Sequence, residues 1–289
     1  MPQRRALMQK RIADVILESL KCPKCGAPLE LAEGERSLVC KTAGGKRHCF
    51  DISSDGYVNF ALADNTSGDT KEAVRARTAF LDSGAYERIS DTLGELVGKY
   101  APTGGFIIDA GCGEGYYSTR LAEQGALVFG ADISKNAVAH CAKRAKRGAL
   151  SGAFFAVSSV FSLPLKDASA DAVVNVFAPC VEAEYSRALK DGGALIVVQA
   201  APDHLMGLKE RLYENVYKNE ERADVPSGMK LAEERRLTYD LTLESNELIM
   251  ALFSMTPYYW RTSQKDKDKL LGLDRLVTKI DILFSVYQK

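Results

Sequence analysis

From residue 106 to about residue 200, short apolar runs alternate with amphipathic stretches. Residues 106–109 read as a buried strand, followed by a glycine-rich turn and a helix that ends near Gly125. Residues 126–132 predict the next strand, and Ser134 offers an N-cap for a helix reaching Arg147. Residues 153–157, 172–177 and 194–199 predict three more strands, with Lys190-Asp191-Gly192-Gly193 as the turn before the last. Strands separated by helical crossovers imply an α/β fold with a parallel sheet covered by helices on both faces. Ligands then bind beyond the carboxyl ends of the strands. Nearer the N-terminus, Ile12, Val15, Ile16 and Leu20 fall at i, i+3, i+4 and i+8, the spacing of one apolar helix face. Three regions follow: a helix with a cysteine-rich module over 1–60, a helical connector over 61–100, and the sheet domain over 101–289. The connector opens on the polar run Asp64-Asn65-Thr66-Ser67-Gly68-Asp69.

Composition narrows the class. No run of about 18 apolar residues is present, so no membrane span and no membrane partner are expected. Arg4, Arg5, Lys10 and Arg11 precede an apolar stretch that Asp14 and Glu18 interrupt. A secretory signal needs that stretch unbroken, so a cytoplasmic location is expected. Lys and Arg (38) balance Asp and Glu (38), which argues weakly against a nucleic-acid partner. The balance is not local, because residues 1–50 hold ten Lys/Arg against five Asp/Glu. A second basic cluster, Lys143-Arg144-Ala145-Lys146-Arg147, closes a predicted helix; such clusters are more often solvated faces than binding patches.

Cys22, Cys25, Cys40 and Cys49 crowd the first fifty residues. In a reducing cytosol such a cluster reads as metal ligands rather than disulfides. Cys22-Pro-Lys-Cys25 forms a knuckle, Cys40 follows, and the fourth ligand is either His48 or Cys49, with Gly44-Gly45 at the tip of the intervening segment. Three or four thiolates in tetrahedral array bind zinc and help to fold a small module.

The strand at 106–109 leads into Asp109-Ala110-Gly111-Cys112-Gly113-Glu114-Gly115. Glycine lets a backbone approach a ligand closely. The Gly-x-Gly-x-Gly spacing departs from the dinucleotide Gly-x-Gly-x-x-Gly pattern, and no Gly-Lys-Ser/Thr of a triphosphate loop is present. Asp132 ends the second strand, where a carboxylate can accept both hydroxyls of a ribose. The combination resembles motifs I and II of class I methyltransferases, with a Rossmann-like sheet and S-adenosylmethionine as cofactor. That cofactor carries no phosphate, and its sulfonium and amino group are positive, so Asp109 or Glu114 can offset its charge. Cys112 presents its backbone to the loop, and Ser158 either bonds the adenine edge or serves ordinary loop chemistry.

A more specific resemblance runs from about residue 22 to the C-terminus. Cys22-Pro-x-Cys25, Cys40, His48-x-Phe50-Asp51 and Gly56-Tyr57-Val58-Asn59 are similar to the zinc module of bacterial 23S rRNA (guanine-N1)-methyltransferases. So are Arg77-x-x-Phe80-Leu81-Asp82-x-Gly84-x-Tyr86, the glycine loop through Tyr117, Ala178-Pro179-Cys180, His204-Leu205-Met206 and Met255-Thr256-Pro257-x-x-Trp260. The resemblance implies methylation of guanine N1 in a 23S rRNA hairpin loop, a modification that bears on macrolide antibiotic binding. It implies zinc on Cys22, Cys25, Cys40 and His48, and it places Tyr86 and His204 beside the cofactor. The chain departs from the family in an additional N-terminal helix and an insertion between Cys40 and His48. A homodimer is left open.

Guanine N1 carries a proton and is hidden in base pairing, so the enzyme must use an unpaired or flipped base and stack it on apolar or aromatic groups. Phe177, Tyr116, Tyr117 and Trp260 are the candidate platforms; no residue stands out as the base. Two rival chemistries share the fold. Cys180 follows Pro179 after the fourth strand, where RNA cytosine-C5 methyltransferases place a nucleophile, and many small-molecule methyltransferases use the same sheet.

Overall fold

The computed structural model describes residues 12–40, 45, 47–61, 68–220 and 225–289. Arg4, Arg5, Lys10, Arg11, Gly44 and the polar residues 64–67 lie outside the described residues. Helix α1 (Asp14–Ser19) leads into a small antiparallel sheet of β1 (Leu29–Leu31), β2 (Ser37–Cys40) and β3 (Cys49–Asp51). Strand β4 (Tyr57–Asn59) and helices α2 (Lys71–Asp82) and α3 (Glu87–Tyr100) follow. The alternating region holds β5 (Phe106–Ala110), α4 (Tyr116–Glu123), β6 (Leu127–Asp132), α5 (Lys135–Arg147), β7 (Ala153–Val157), β8 (Ala170–Val176), α6 (Glu182–Ala188) and β9 (Leu189–Ala200). The chain closes with α7 (Met206–Leu212), β10 (Lys230–Leu243), α8 (Asn246–Ser254), α9 (Gln264–Asp268) and β11 (Leu276–Gln288).

The main sheet has the order β10-β11-β9-β8-β5-β6-β7-β4. Six strands, β4 through β9, run parallel; β5 to β9 are those the crossover pattern predicts, and β4 joins them from the cysteine-rich segment. Beyond these strands the sheet is mixed, because β11 inserts antiparallel between β9 and β10. The Ser134 hydroxyl accepts the Ala137 N–H, so the predicted N-cap starts α5. Lys190 to Gly193 loop out between the pairs Ala170–Leu189 and Ala172–Ala194, with Gly192 at φ +78°.

Strand alternation divides the core. Ile107 faces a layer built on α2, α3, α4, α7 and α8, whereas Phe106 and Ile108 face the opposite layer. That second layer holds Phe129, Phe154 and Tyr185 together with Ile12, Ile16, Leu20, Leu38 and Phe50 of the N-terminal region. The N-terminal helix and small sheet therefore roof one face of the main sheet. Each fully buried Ile or Leu there contributes about 1.5–3 kcal/mol. Backbone hydrogen bonds reinforce the roof: the Lys21 N–H donates to Pro164 O (2.9 Å) and the Lys166 N–H to Ser19 O (2.8 Å). Val15 departs from the predicted apolar face and is 45% exposed. The helix is under two turns long, so the buried stripe is set by Ile12, Ile16 and Leu20 at four-residue spacing. No helix among the described residues is long and apolar enough to cross a membrane.

Candidate active site and cysteine–histidine cluster

The loop Asp109–Gly115 leaves the carboxyl end of β5 and enters α4. Gly111 (φ +86°) and Gly113 (φ +55°) adopt left-handed backbone. A Cβ on Gly111 would lie 2.6 Å from Ala178 Cβ, and one on Gly113 would lie 3.0 Å from Arg77 Nη1. At Gly111 the clash requires bare backbone, whereas at Gly113 the Arg77 tip can move aside and it is the left-handed φ that favours glycine. The Gly111 N–H (2.8 Å) and the Cys112 N–H (3.1 Å) both donate to Ala131 O, which ties the loop to β6. Cys112 presents its backbone, while its buried thiol lies beneath the loop near Cys141; contact with Cys141 and burial push that thiol well up. Gly115 is the residue from which α4 starts.

Asp132 ends β6 beside this loop. Its Oδ2 accepts the Gly113 N–H (3.0 Å) and its Oδ1 the Ser134 N–H (2.8 Å). Each oxygen keeps a lone pair, so the carboxylate can still accept two hydroxyls. Asp109 is buried and accepts a hydrogen bond from the Ser118 hydroxyl. Burial pushes its carboxyl up to about 7 against that hydrogen bond, and the Asp132 and Glu114 carboxylates add to the rise. Glu114 is also raised by burial, with the Arg77 guanidinium 3.6 Å away opposing the shift. Ser158 is buried at the end of β7: its N–H donates to Asp132 O (2.9 Å) and its hydroxyl to Ser159 O (3.5 Å).

Across the sheet, Tyr86 and His204 meet at Oη···Nε2 3.5 Å. Burial lowers the His204 imidazole to about 3 and raises the Tyr86 phenol, so both are neutral near pH 7. The Phe177 ring lies 6.1 Å from the His204 ring at 13° and 6.3 Å from that of Tyr86. Phe177 holds a left-handed backbone (φ +52°) yet is 45% exposed. The turn after it is pinned where Tyr185 Oη (3.0 Å) and Asn175 Nδ2 (3.1 Å) both donate to Pro179 O. Of the four candidate platforms, Tyr116 is buried and Tyr117 partly buried, both with hydroxyls enclosed in protein, whereas Phe177 and Trp260 (78% exposed) present their rings.

Arg77 and Asp69 form a salt bridge at the loop, and the Asp69 carbonyl accepts from Ser134 Oγ (3.3 Å) and Asn136 Nδ2 (3.0 Å). The sequence pattern marked Arg77 only as part of a family motif on a connecting helix. Its placement against Gly113 depends on how α2 docks, which no local pattern encodes.

Cys22, Cys25, Cys40 and His48 converge, with ligand atoms all within 4.8 Å of one another. His48 Nδ1 stands 3.5 Å from Cys22 Sγ and 3.6 Å from Cys40 Sγ. Zn–S of about 2.3 Å and Zn–N of about 2.0 Å in a tetrahedron give an S···N edge of about 3.5 Å, so the donor set fits zinc. Cys49 is exposed and outside this group. The basic excess of residues 1–50 resides largely outside the described residues: between 12 and 50 only Lys21, Lys24, Arg36 and Arg47 are described, against Asp14, Glu18, Glu30, Glu33 and Glu35. Three residues of the cluster on α5 have partners within the protein: Lys143 near Asp55 (3.4 Å), Arg144 on Asp82 and Lys146 on Ser54 O (3.4 Å).

Six parallel strands with the antiparallel β11 beside β9, a glycine cradle after β5 and a carboxylate ending β6 together have the arrangement of a class I methyltransferase. A family model described as a methyltransferase domain matches residues 103–268. The chain is 31% identical over 277 residues to a Bacillus subtilis (strain 168) protein provisionally named a 23S rRNA (guanine-N1)-methyltransferase, covering 91% of this chain and 93% of that one. It is 37% identical to the 23S rRNA (guanine(748)-N1)-methyltransferase of Streptomyces fradiae, over 68% of this chain and 69% of the relative. A Micromonospora griseorubida protein, again provisionally named a 23S rRNA (guanine-N1)-methyltransferase, is 34% identical over 68% of this chain and 70% of its own. The chain belongs to the 23S rRNA (guanine-N1)-methyltransferase family.

Proposed function

We propose that the protein transfers a methyl group from S-adenosylmethionine to N1 of a guanine in a 23S rRNA hairpin loop, which places its work in the cytoplasm. The observation that carries this is the alignment, along one edge of the sheet, of the glycine cradle, Asp132 and the Tyr86–His204 pair in a chain similar to rRNA guanine-N1 methyltransferases. In this site Asp132 accepts the ribose hydroxyls, the backbone of Gly111, Cys112, Gly113 and Gly115 lies against the nucleoside, and Ser158 borders the adenine. Asp109 and Glu114 offset the cofactor's positive charge, and Tyr86 and His204 border its amino-acid end.

S-adenosylmethionine supplies an electrophilic methyl group, so the protein's main task is to hold guanine N1 in line with it. Phe177 is the platform best placed for the base, since it is exposed, fixed by the pinned turn, and adjacent to Tyr86 and His204. Cys22, Cys25, Cys40 and His48 would hold zinc as a closed four-ligand site, which stabilises fold rather than performing chemistry. Primer extension on 23S rRNA from cells lacking the gene tests the assignment. A stop present in wild-type rRNA should vanish, because N1-methylguanine blocks reverse transcription; an unchanged stop pattern would refute the assignment.

Cys180 packs with Val181 against the apolar layer of the N-terminal face. Cys180→Ser is therefore expected to keep methylation within a few-fold of wild type. Complete loss of activity would favour the cytosine-C5 chemistry instead.

The raised Asp109 carboxyl gives a pH signature. A buried acid whose folded value lies above its ordinary 3.8 favours the neutral form, so its contribution to stability is lost as pH rises through about 7. A cationic ligand favours the ionised form. Cofactor affinity should accordingly rise roughly ten-fold between about pH 6 and about pH 8, with proton release on binding below pH 7. Calorimetry in two buffers of different ionisation enthalpy measures both quantities, and Asp109→Asn should flatten the profile.

A further inference from the structure

His204 is held by more polar contacts than a packing residue needs, and their directions can be read. The turn 201–205 lies against β11. Asp281 alone makes three contacts with it: its carbonyl accepts the Ala201 N–H (2.8 Å), its Oδ2 accepts the Asp203 N–H (3.1 Å), and its own N–H donates to His204 Nδ1 (3.4 Å). The Asp281 side chain is itself fixed by Arg236, through Nε–Oδ1 2.8 Å and Nη2–Oδ2 2.7 Å, and by the Thr238 hydroxyl at 3.1 Å. From the other side Asn219 Nδ2 donates to Ala201 O (2.9 Å) and His204 O (3.4 Å), while the buried Lys209 ammonium grips Asn219 Oδ1 (2.7 Å). Burial, aided by the Lys209 charge, outweighs the Asp281 carboxylate and keeps the imidazole neutral.

A backbone N–H can only donate, so Nδ1 must offer its lone pair and the ring proton must sit on Nε2. Nε2–H then donates to Tyr86 Oη, which leaves the phenolic proton free to donate onward. The next acceptor follows from strand order. A nucleoside whose adenine lies at Ser158 after β7 and whose ribose lies at Asp132 after β6 directs its amino-acid end past β5 and β8, toward the Tyr86–His204 pair. That end offers an ammonium, which donates, and a carboxylate, which accepts.

We propose that Asp281 is a positioning residue: its carboxylate, held by Arg236, anchors the 201–205 turn at the Asp203 N–H so that the Asp281 backbone N–H meets Nδ1 and fixes His204 in its Nε2-protonated form, which makes the Tyr86 hydroxyl the donor that recognises the cofactor's carboxylate. The proposal rests on the cofactor assignment above and adds the group recognised and the direction of the relay.

The test uses the full-length protein and two ligands, S-adenosylhomocysteine and its decarboxylated analogue. Calorimetry on wild type should favour the carboxylate-bearing compound by about ten-fold or more, the scale of a hydrogen bond to a charged group. Tyr86→Phe should lose most of that preference, read as the ratio of the two affinities within the variant. Imidazole nitrogen-15 shifts of His204 should show a neutral ring protonated at Nε2 from about pH 6 to about pH 8. Asp281→Ala keeps the backbone N–H but releases the turn at Asp203, so it should mix the tautomers and erode the preference, with Asp281→Asn, which still offers an Oδ1 acceptor, partly restoring both. Should Asp281→Ala fail to fold, the wild-type spectrum and Tyr86→Phe still decide. An Nδ1-protonated ring, or an unchanged preference in Tyr86→Phe, overturns the relay while leaving the cofactor assignment standing. Wild-type protein that binds neither compound overturns that assignment and the proposal with it.

Discussion

Chelation of the metal should lower the melting temperature of the whole protein by roughly 10 °C or more. Structural zinc contributes about 10–16 kcal/mol in small zinc-finger peptides, and losing even several kcal/mol here converts at about 2–4 °C per kcal/mol for a chain of this size. The effect should not stay local. Leu38 and Phe50 of the small sheet share one apolar layer with Phe129 and Phe154 of the main sheet, so loosening the cluster removes part of the roof. Scanning calorimetry with and without chelator measures the shift, and metal analysis should find one zinc per chain. Cys40→Ser should reproduce the loss, whereas Cys49→Ser, outside the cluster, should melt as wild type does. A melt indifferent to chelator would remove zinc from the description of this protein.

Gly111→Val should abolish measurable cofactor binding, a loss of at least about 100-fold, equivalent to about 2.8 kcal/mol. Two costs add. The φ of +86° disfavours a β-branched residue, and the new Cβ would meet Ala178 at 2.6 Å, forcing apart the cradle and the turn that carries Phe177. Gly125 provides the control, because its φ of +95° is equally left-handed but open space surrounds it. Gly125→Ala should cost about 1 kcal/mol of stability and leave affinity for S-adenosylhomocysteine untouched. Equal loss of affinity in both variants would mean that strain, rather than the cradle, was being measured.

The parallel half of the sheet was legible because each of its strands carries a self-contained signal. Strand β5 is apolar throughout, the glycine loop follows at once, and Ser134 caps α5 through its own side chain. The C-terminal hairpin was not. Strand β10 alternates faithfully through Leu237, Tyr239, Leu241 and Leu243, but Glu233, Glu234, Arg235 and Arg236 make its first half look like a solvated helix face. In β11 the buried Asp281 interrupts the apolar residues Ile280 and Ile282 to Phe284, and its bonds to Arg236, Thr238 and the Asp203 N–H explain its presence. The site divides along the same line. The cradle and Asp132 are neighbours in one crossover, so spacing reveals them. Arg77, Asp69 and the Asp281–His204–Tyr86 chain are brought together by docking between distant segments. The four candidate metal ligands fall between these cases: the Cys22–Cys25 knuckle is plain in the sequence, His48 rather than Cys49 follows from the family resemblance, and in the fold the imidazole lies beside Cys22 and Cys40.

Strand β4 lies within the first sixty residues, yet it pairs with β7 through Tyr57–Phe155, Val58–Ala156 and Asn59–Val157. The segment bearing the cysteine–histidine cluster thus also hems the open flank of the main sheet. Dissecting the protein at residue 60 would bare a row of amide and carbonyl groups on β7 that invites association with other chains. A lineage of such enzymes could not discard or exchange its front module without refashioning the border of its catalytic half, so the two are bound to be inherited as one piece.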